Sequence, residues 1–307
     1  MSESPEQRDA PVGGQAVLEG VMMRGVSTWA VAIRHRDGHV AVEAHPVSSW
    51  VTRSPVLRFP VIRGVVALAQ SMAIGAKALR GSIDAQETEP IPARTWAFAL
   101  VAGLALAIGL FFALPVLLTS LIEGWLGSAW LFWLVEGGVR NAIFLTYLAL
   151  LARQPHLRRL FQYHGAEHKT IAAYEAGLPL TVANAQRFSR LHPRCGTSFL
   201  LVVMVVAIFV FAPVGLPAWW ILLLTRIVGV PLVAGISFEL IKFAGRHRHS
   251  PWVRPIIWPG MQLQKLTTRE PEDEQVVVAV AALEAVLAVE DPRAASREAR
   301  IGVEVAA

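Results

Sequence analysis

A single cysteine, Cys195, in 307 residues leaves no partner for an intramolecular disulfide and so excludes the stapled scaffolds of small secreted domains. It equally excludes zinc modules built on CxxC pairs. Charge is scarce: 17% of residues are Asp, Glu, Lys or Arg, against about 25% in soluble chains, while 54% are hydrophobic. That balance argues against a soluble enzyme of ordinary build and against a disordered chain, which needs the opposite composition. Neither GxxxxGK[ST] nor a helix-opening GxGxxG is present, so there is no phosphate-cradling glycine loop. The absence of an internal repeat disfavours a transporter made of inverted halves. The formal net charge is +5, but no basic run carries interleaved aromatics, and no nucleic-acid partner is expected. The polar, acidic stretch Met1 to Pro11 lacks an apolar core, which predicts no cleavable signal peptide.

What is abundant is long apolar sequence. A spanning helix needs about 20 predominantly apolar residues, and Trp96 to Leu121 supplies them without a charge. Ala129 to Ala152 forms a second span that contains Glu136 and Arg140, an i,i+4 pair on one face beside Asn141. Such a cluster is either functional or a structural pair near the outer interface. Thr197 to Ala212 is the third span. The fourth runs from Trp219 and Trp220 to about Phe243, with a kink expected near Pro231. The connections 124–128 and 213–217 carry no Lys or Arg, whereas 153–194 carries seven and the stretch after the fourth span carries more. The positive-inside rule then puts both termini and the middle loop in the cytoplasm, with the protein in the cell membrane and the lipid bilayer as its first partner.

The cytoplasmic parts are smaller. Ala30–Ile33 and Val40–Glu43 flank Asp37-Gly38, a hairpin signal, and Gly13-Gly14 reads as a turn before a strand. Residues 56–82 look helical, with Arg63 and Lys77 spaced too closely for a comfortable span. An interfacial or bundle-covering helix is expected there, with a re-entrant segment as the alternative. The chain after Thr268 starts an acidic helix that continues as an amphipathic one to Val289. The expected architecture is therefore an α-helical multi-pass membrane protein with about four transmembrane helices, a small N-terminal cytoplasmic β unit and a C-terminal amphipathic helix. In residues, 1–11 is a disordered N-terminus, 12–55 the β unit, 56–93 the interfacial helix region and 94–152 the first two spans. The cytoplasmic loop covers 153–196, the last two spans 197–245, the C-terminal segment and helix 246–290, and a disordered tail 291–307.

The middle loop carries the sharpest chemical signal, His164-Gly-Ala-Glu-His168. On a helix the two histidines stand one turn apart on one face, a spacing at which two imidazoles can share a metal, while Glu167 beside them can deprotonate a bound water. The order HxxEH is that of inverzincin-type metallopeptidases. The plain alternative is a polar helix face with solvated histidines. A second cluster, His192-Pro-Arg-Cys195, adds two further candidate metal ligands; Cys195 can also be a nucleophile or simply a small buried thiol. Glu239, at the inner membrane edge, is a candidate third ligand. His247 and His249 are weaker candidates that also read as a basic flank. Glu175 shares the face of His168 but lies about 10 Å along the helix, too far to join it. Arg24 and Arg194 can hold an anionic substrate or a developing oxyanion, and Arg194 also reads as a positive-inside residue.

The segments Gly13-Gly-Gln-Ala-Val-Leu-Glu-Gly-Val-Met-Met-Arg24, Tyr163-His-Gly-Ala-Glu-His-Lys169, His192-Pro-Arg-Cys-Gly-Thr-Ser-Phe199 and Gln264-Lys-Leu-Thr-Thr-Arg-Glu-Pro271, in this order, resemble the YqhQ-like family. That is a bacterial domain of unknown function (number 1385). The resemblance implies a predicted metal-dependent membrane enzyme in which His164, Glu167, His168, His192 and Cys195 are the residues to suspect; it supplies no substrate. Hydrolysis at a cytoplasm-facing site is the expected chemistry. A divalent metal, zinc by its liking for imidazole with thiolate or carboxylate, is the expected cofactor, and Glu167 the expected general base. A non-catalytic membrane scaffold or assembly factor, with a structural metal or polar cluster, is the alternative. Either leaves room for self-association or a membrane partner.

Overall fold

The computed structural model describes residues 11–291 apart from 90, 194, 216–218, 247–249 and 252. Four antiparallel strands come first: β1 (Gly13–Val17), β2 (Gly20–Arg24), β3 (Thr28–Arg34) and β4 (Val40–Pro46), joined in the order β1-β2-β3-β4. Eleven helices follow among the described residues. They are α1 (Ile62–Asp84), α2 (Ala93–Ile108), α3 (Leu114–Ser120), α4 (Glu123–Leu126), α5 (Ala129–Leu151), α6 (Pro155–Glu175), α7 (Val182–Gln186), α8 (Gly196–Phe211), α9 (Trp219–Arg246), α10 (Arg254–Thr267) and α11 (Asp273–Leu287). A π-turn at Gly109–Ala113 joins α2 to α3, so that the two run as one rod.

The sheet is covered on both faces, and this explains the unbroken apolar run of β2 and most of β3, since strands buried twice do not alternate. On one face Val21, Met23, Ala30 and Ala32 join Tyr163 and Ala166 of α6 and Val276, Ala279 and Leu283 of α11. On the other, Val17, Met22, Trp29, Val31 and Ile33 pack on Ile74 and Ala78 of α1. The hairpin signal at Asp37-Gly38 is realised, with Gly38 at φ +88° and the His39 amide donating to Asp37 Oδ1 at 3.0 Å. The glycine pair at 13–14 differs from expectation: it lies inside β1 rather than in a turn, and the chain reverses at Leu18-Glu19. The reason is packing, because a Cβ on Gly14 would lie 2.9 Å from Glu167 Cδ and 2.8 Å from the Met22 carbonyl.

Four helices are long and apolar enough to cross a membrane, which is compatible with a membrane protein: α1, the α2–α3 rod, α5 and residues Leu224–Ala244 of α9. The set is not the expected one. α8 has 16 residues, about 24 Å at 1.5 Å per residue, while α1 with 23 residues qualifies. Arg63, which counted against α1, is neutralised by Glu239 of α9 at 2.5 Å. The carboxyl-terminal half of α1 nonetheless belongs to the sheet, with the Leu18 amide donating to Ser82 Oγ at 3.2 Å. None of an 18-residue apolar window of the α2–α3 rod is buried. In water that much exposed apolar surface is costly, and lipid is the solvent that removes the cost.

Within the bundle, α5, α8 and α9 share a core of Phe132, Trp133, Val206, Phe211 and Val233. Glu136 and Arg140 bond each other there, and both are buried. Arg226 lies over the rings of Phe211 (3.8 Å) and Trp133 (4.7 Å), a cation–π seat for a second arginine. α9 is one continuous helix with Pro231 inside it. α11 begins with a capping box between Glu272 and Gln275. It is a core helix more than a surface amphipathic one, exposing only a narrow stripe through Val277 and Glu284. The stretches 1–10 and 292–307, expected to be disordered, lie outside the described residues.

Candidate metal centre

α6 opens with Pro155 at its first turn, where the missing N–H costs nothing, and it is buried from Tyr163 onward except at His164, Ala172 and Glu175. His164 and His168 project from one face, with ring centroids 4.4 Å apart and planes at 65°. Cys195 is the N-cap of α8; its Sγ accepts from the Thr197 amide at 3.5 Å and lies 3.2 Å from Thr197 Oγ1. The helix places this cysteine 3.3 Å from His164 Nε2. One ligand atom each from His164, His168 and Cys195 lies within 4.8 Å of the others.

The other nitrogen of each ring decides its chemistry. His164 Nδ1 donates to the Thr267 carbonyl at 2.8 Å, and His168 Nδ1 donates to the Arg190 carbonyl at 2.6 Å. A ring nitrogen facing a carbonyl at that distance must carry its proton, which leaves both Nε2 atoms as the ligand nitrogens. His168 Nε2 is buried with no hydrogen bond of ordinary geometry, its interaction being with the Cys195 sulfur, and Glu167 Oε2 is buried without a partner. A tetrahedral zinc with bonds of about 2.0–2.3 Å separates its ligand atoms by about 3.3–3.6 Å. The 3.3 Å between His164 Nε2 and Cys195 Sγ meets that. The donor set is of the kind that fits a divalent, imidazole- and thiolate-loving metal.

The electrostatics are those of a thiolate–imidazolium pair, so a metal would have to displace the Nε2 proton of His164. Burial pushes the Cys195 thiol up, but the His168 and His164 rings outweigh it and hold the thiol well below its ordinary range. Burial opposes a charge on His164, yet the Cys195 sulfur, Glu167 and the Thr267 carbonyl together raise it to about 9. Glu167 is pushed up to about 8 by burial, against the pull of His164 and the Ala16 amide and with a further push from the Cys195 charge.

The remaining candidates go elsewhere. His192 packs beside His168 (centroids 5.8 Å) but directs Nε2 to Glu175 Oε2 at 3.3 Å, and neither joins the three-residue cluster. Its main chain is clamped by Gln264, which accepts from the His192 amide at 2.8 Å and donates to its carbonyl at 2.7 Å. Glu239 is not brought to the cluster: its carboxylate takes a fork from Arg63 and faces the Val61 amide at the start of α1. Arg194, His247 and His249 lie outside the described residues. Sequence reasoning missed the residues that aim the ligands: the carbonyls of Thr267 and Arg190, and Gln264. Thr268 belongs with them, since Arg190 Nη1 donates to its Oγ1 at 2.8 Å. Three of the four lie in the segment 264–271, which stood out as a motif but carries no ligand side chain. Main-chain carbonyls leave no mark in a sequence.

A mostly helical protein, with four membrane-length apolar helices and a His/His/Cys cluster where they meet a small antiparallel sheet, is the class these features define. The chain belongs to the family described as Protein of unknown function (DUF1385), whose profile matches residues 59–289. It is 35% identical over 295 residues, 91% of this chain and 92% of the other, to "Uncharacterized protein YqhQ" of Bacillus subtilis (strain 168). No solved structure matches the chain.

Proposed function

We propose that this chain is a multi-pass enzyme of the bacterial cytoplasmic membrane, with both termini and its site on the cytoplasmic side. His164, His168 and Cys195 hold a divalent metal, zinc by preference, for a hydrolytic reaction. The observation that carries the reading is the buried Nε2 of His168, with no hydrogen bond of ordinary geometry, beside a thiol and a second Nε2, with both Nδ1 atoms pinned by main-chain carbonyls. A Cys–His nucleophile pair needs only His164, and it leaves that nitrogen with the Cys195 sulfur alone. A metal uses all three ligands, and when bound it supplies Lewis acidity.

In this reading the chain's own residues do the rest. Glu167, whose Oε2 has no partner and whose carboxyl is held above its ordinary range by burial, would take the proton and return it. The Thr267 and Arg190 carbonyls keep the imidazoles in register, and the sheet and α11 exclude water from the back of α6. Metal analysis of detergent-purified protein tests the first half: one metal per chain in the wild type, and none in His164→Ala or His168→Ala. Glu167→Gln tests the second half. A catalyst keeps its metal and loses turnover.

The burial of His168 and Cys195 also favours a second reading, a closed structural site in a membrane scaffold. In that case Glu167→Gln leaves function intact, while loss of the metal unfolds the loop.

A further inference from the structure

Arg24 is the most buried arginine among the described residues, at 1% exposure. Its one hydrogen bond there is Nη1 to Ser71 Oγ at 2.7 Å, and its Nε is buried with no partner. The other buried arginine, Arg140, has Glu136, and half-buried Arg226 has two aromatic faces. Arg24 has neither. Burial alone pulls its guanidinium down to about 10, with no acid close enough to oppose it. An isolated buried charge costs several kcal/mol unless something compensates it, and a guanidinium presents a planar fork suited to an oxyanion.

We propose that Arg24, held by Ser71 between the sheet and α1, binds the phosphate or carboxylate group of a ligand. This anion site is separate from the metal centre. Arg24 pairs across the strands with Gly13, and the next residue, Gly14, touches Glu167. The two glycines leave this corner of the sheet without side chains. Successive strand residues point to opposite faces, so the Arg24 side chain lies on the α1 face with Met22 and Trp29, and Glu167 meets Gly14 on the α6 face. On its other side Arg24 pairs with Trp29. Trp29 stacks on His45 and walls a cavity of about 750 Å³ between β4 and α1, in which Lys77, Glu43 and Asp84 also stand. Trp29 is thus a neighbour of Arg24 and a wall of that cavity.

Thermal unfolding of the full-length protein in detergent tests this, with inorganic phosphate titrated against chloride at matched ionic strength. A parallel arm uses nanodiscs with and without phosphatidic acid. The wild type gains stability with phosphate, or in the phosphatidic acid arm alone if the anion is a lipid headgroup. Arg24→Met removes the increment and is no less stable than the wild type without anion, because an uncompensated charge has gone. Ser71→Ala weakens the anion's half-saturation by about 2- to 10-fold, the worth of one hydrogen bond, and decides the matter should Arg24→Met fail to fold. An increment that survives unchanged in Arg24→Met, an unchanged affinity in Ser71→Ala, or no increment in either arm of the wild type overturns the proposal. His164→Ala keeps the anion increment whether or not it binds metal, so failure of the metal centre and failure of the anion site read separately.

Discussion

Gly165 offers the cleanest test of how the centre is held. A Cβ at this position would lie 2.1 Å from the carbonyl oxygen of Arg269 and 3.3 Å from Pro271 Cδ. Ordinary contact needs about 3.4 Å, so in Gly165→Ala the 267–271 segment must retreat by about 1.3 Å. That segment carries the Thr267 carbonyl, 2.8 Å from His164 Nδ1, and the Arg269 amide, 2.8 Å from the Phe161 carbonyl. A retreat of that size takes both beyond hydrogen-bond range. His164 keeps its place on α6 but loses the partner that fixes its tautomer. Losing such a partner typically costs 10- to 100-fold in metal affinity, about 1.4–2.7 kcal/mol. Competition against a chromophoric zinc chelator measures it. Gly81→Ala, where a Cβ meets nothing, is the control for helix propensity. Wild-type zinc affinity in Gly165→Ala, with the control also unchanged, refutes the argument that the Thr267 carbonyl aims His164.

Three other substitutions probe separate parts of the molecule. Glu136→Gln strands Arg140 inside the bundle and is expected to cost about 3–5 kcal/mol; adding Arg140→Met should return most of the loss, read as the unfolding midpoint in detergent. Glu19→Gln removes the fork to Arg159 (2.6 and 2.5 Å) and the bond from the Tyr163 hydroxyl at 3.2 Å. The Arg159 bond outweighs burial and holds the Glu19 pKa below its usual value, so its stabilisation is present above the ordinary carboxylate range and fades as pH falls through the lowered pKa. The pair is half exposed, so the difference from wild type at pH 7 should stay within about 1 kcal/mol. It should shrink as pH falls through the lowered Glu19 pKa, and a gap that widens toward acid contradicts the sign. Gly14→Ala drives a methyl against Glu167 and should reduce turnover while leaving metal content at one per chain; loss of metal instead would show that Glu167 is part of the ligand set.

Much of this protein was legible without coordinates. Apolar length over 96–121 and 129–152 depends on local composition alone, and α5 and the α2–α3 rod match it within a few residues. The Asp37-Gly38 hairpin and the acidic, capped start of α11 are likewise local. His164, Glu167 and His168 could be grouped because a helix turn is a local ruler. Composition could not tell α1 from α8: Arg63 looks like a charge too many until Glu239, 176 residues away, is seen to neutralise it. Nor could it show that Glu239 is thereby kept from the His164/His168/Cys195 cluster.

Membrane-length apolar helices and two imidazoles one turn apart follow from hydrophobicity and helical periodicity, which act over a few residues at a time. Which groups complete the cluster depends on long-range packing. Cys195 reaches His164 across 31 residues, the Thr267 carbonyl reaches it across 103, and Arg24 is buried by a helix 47 residues further on. Contacts of that range are set by how the sheet, α6 and the 264–271 segment pack together, and packing is a property of the whole chain.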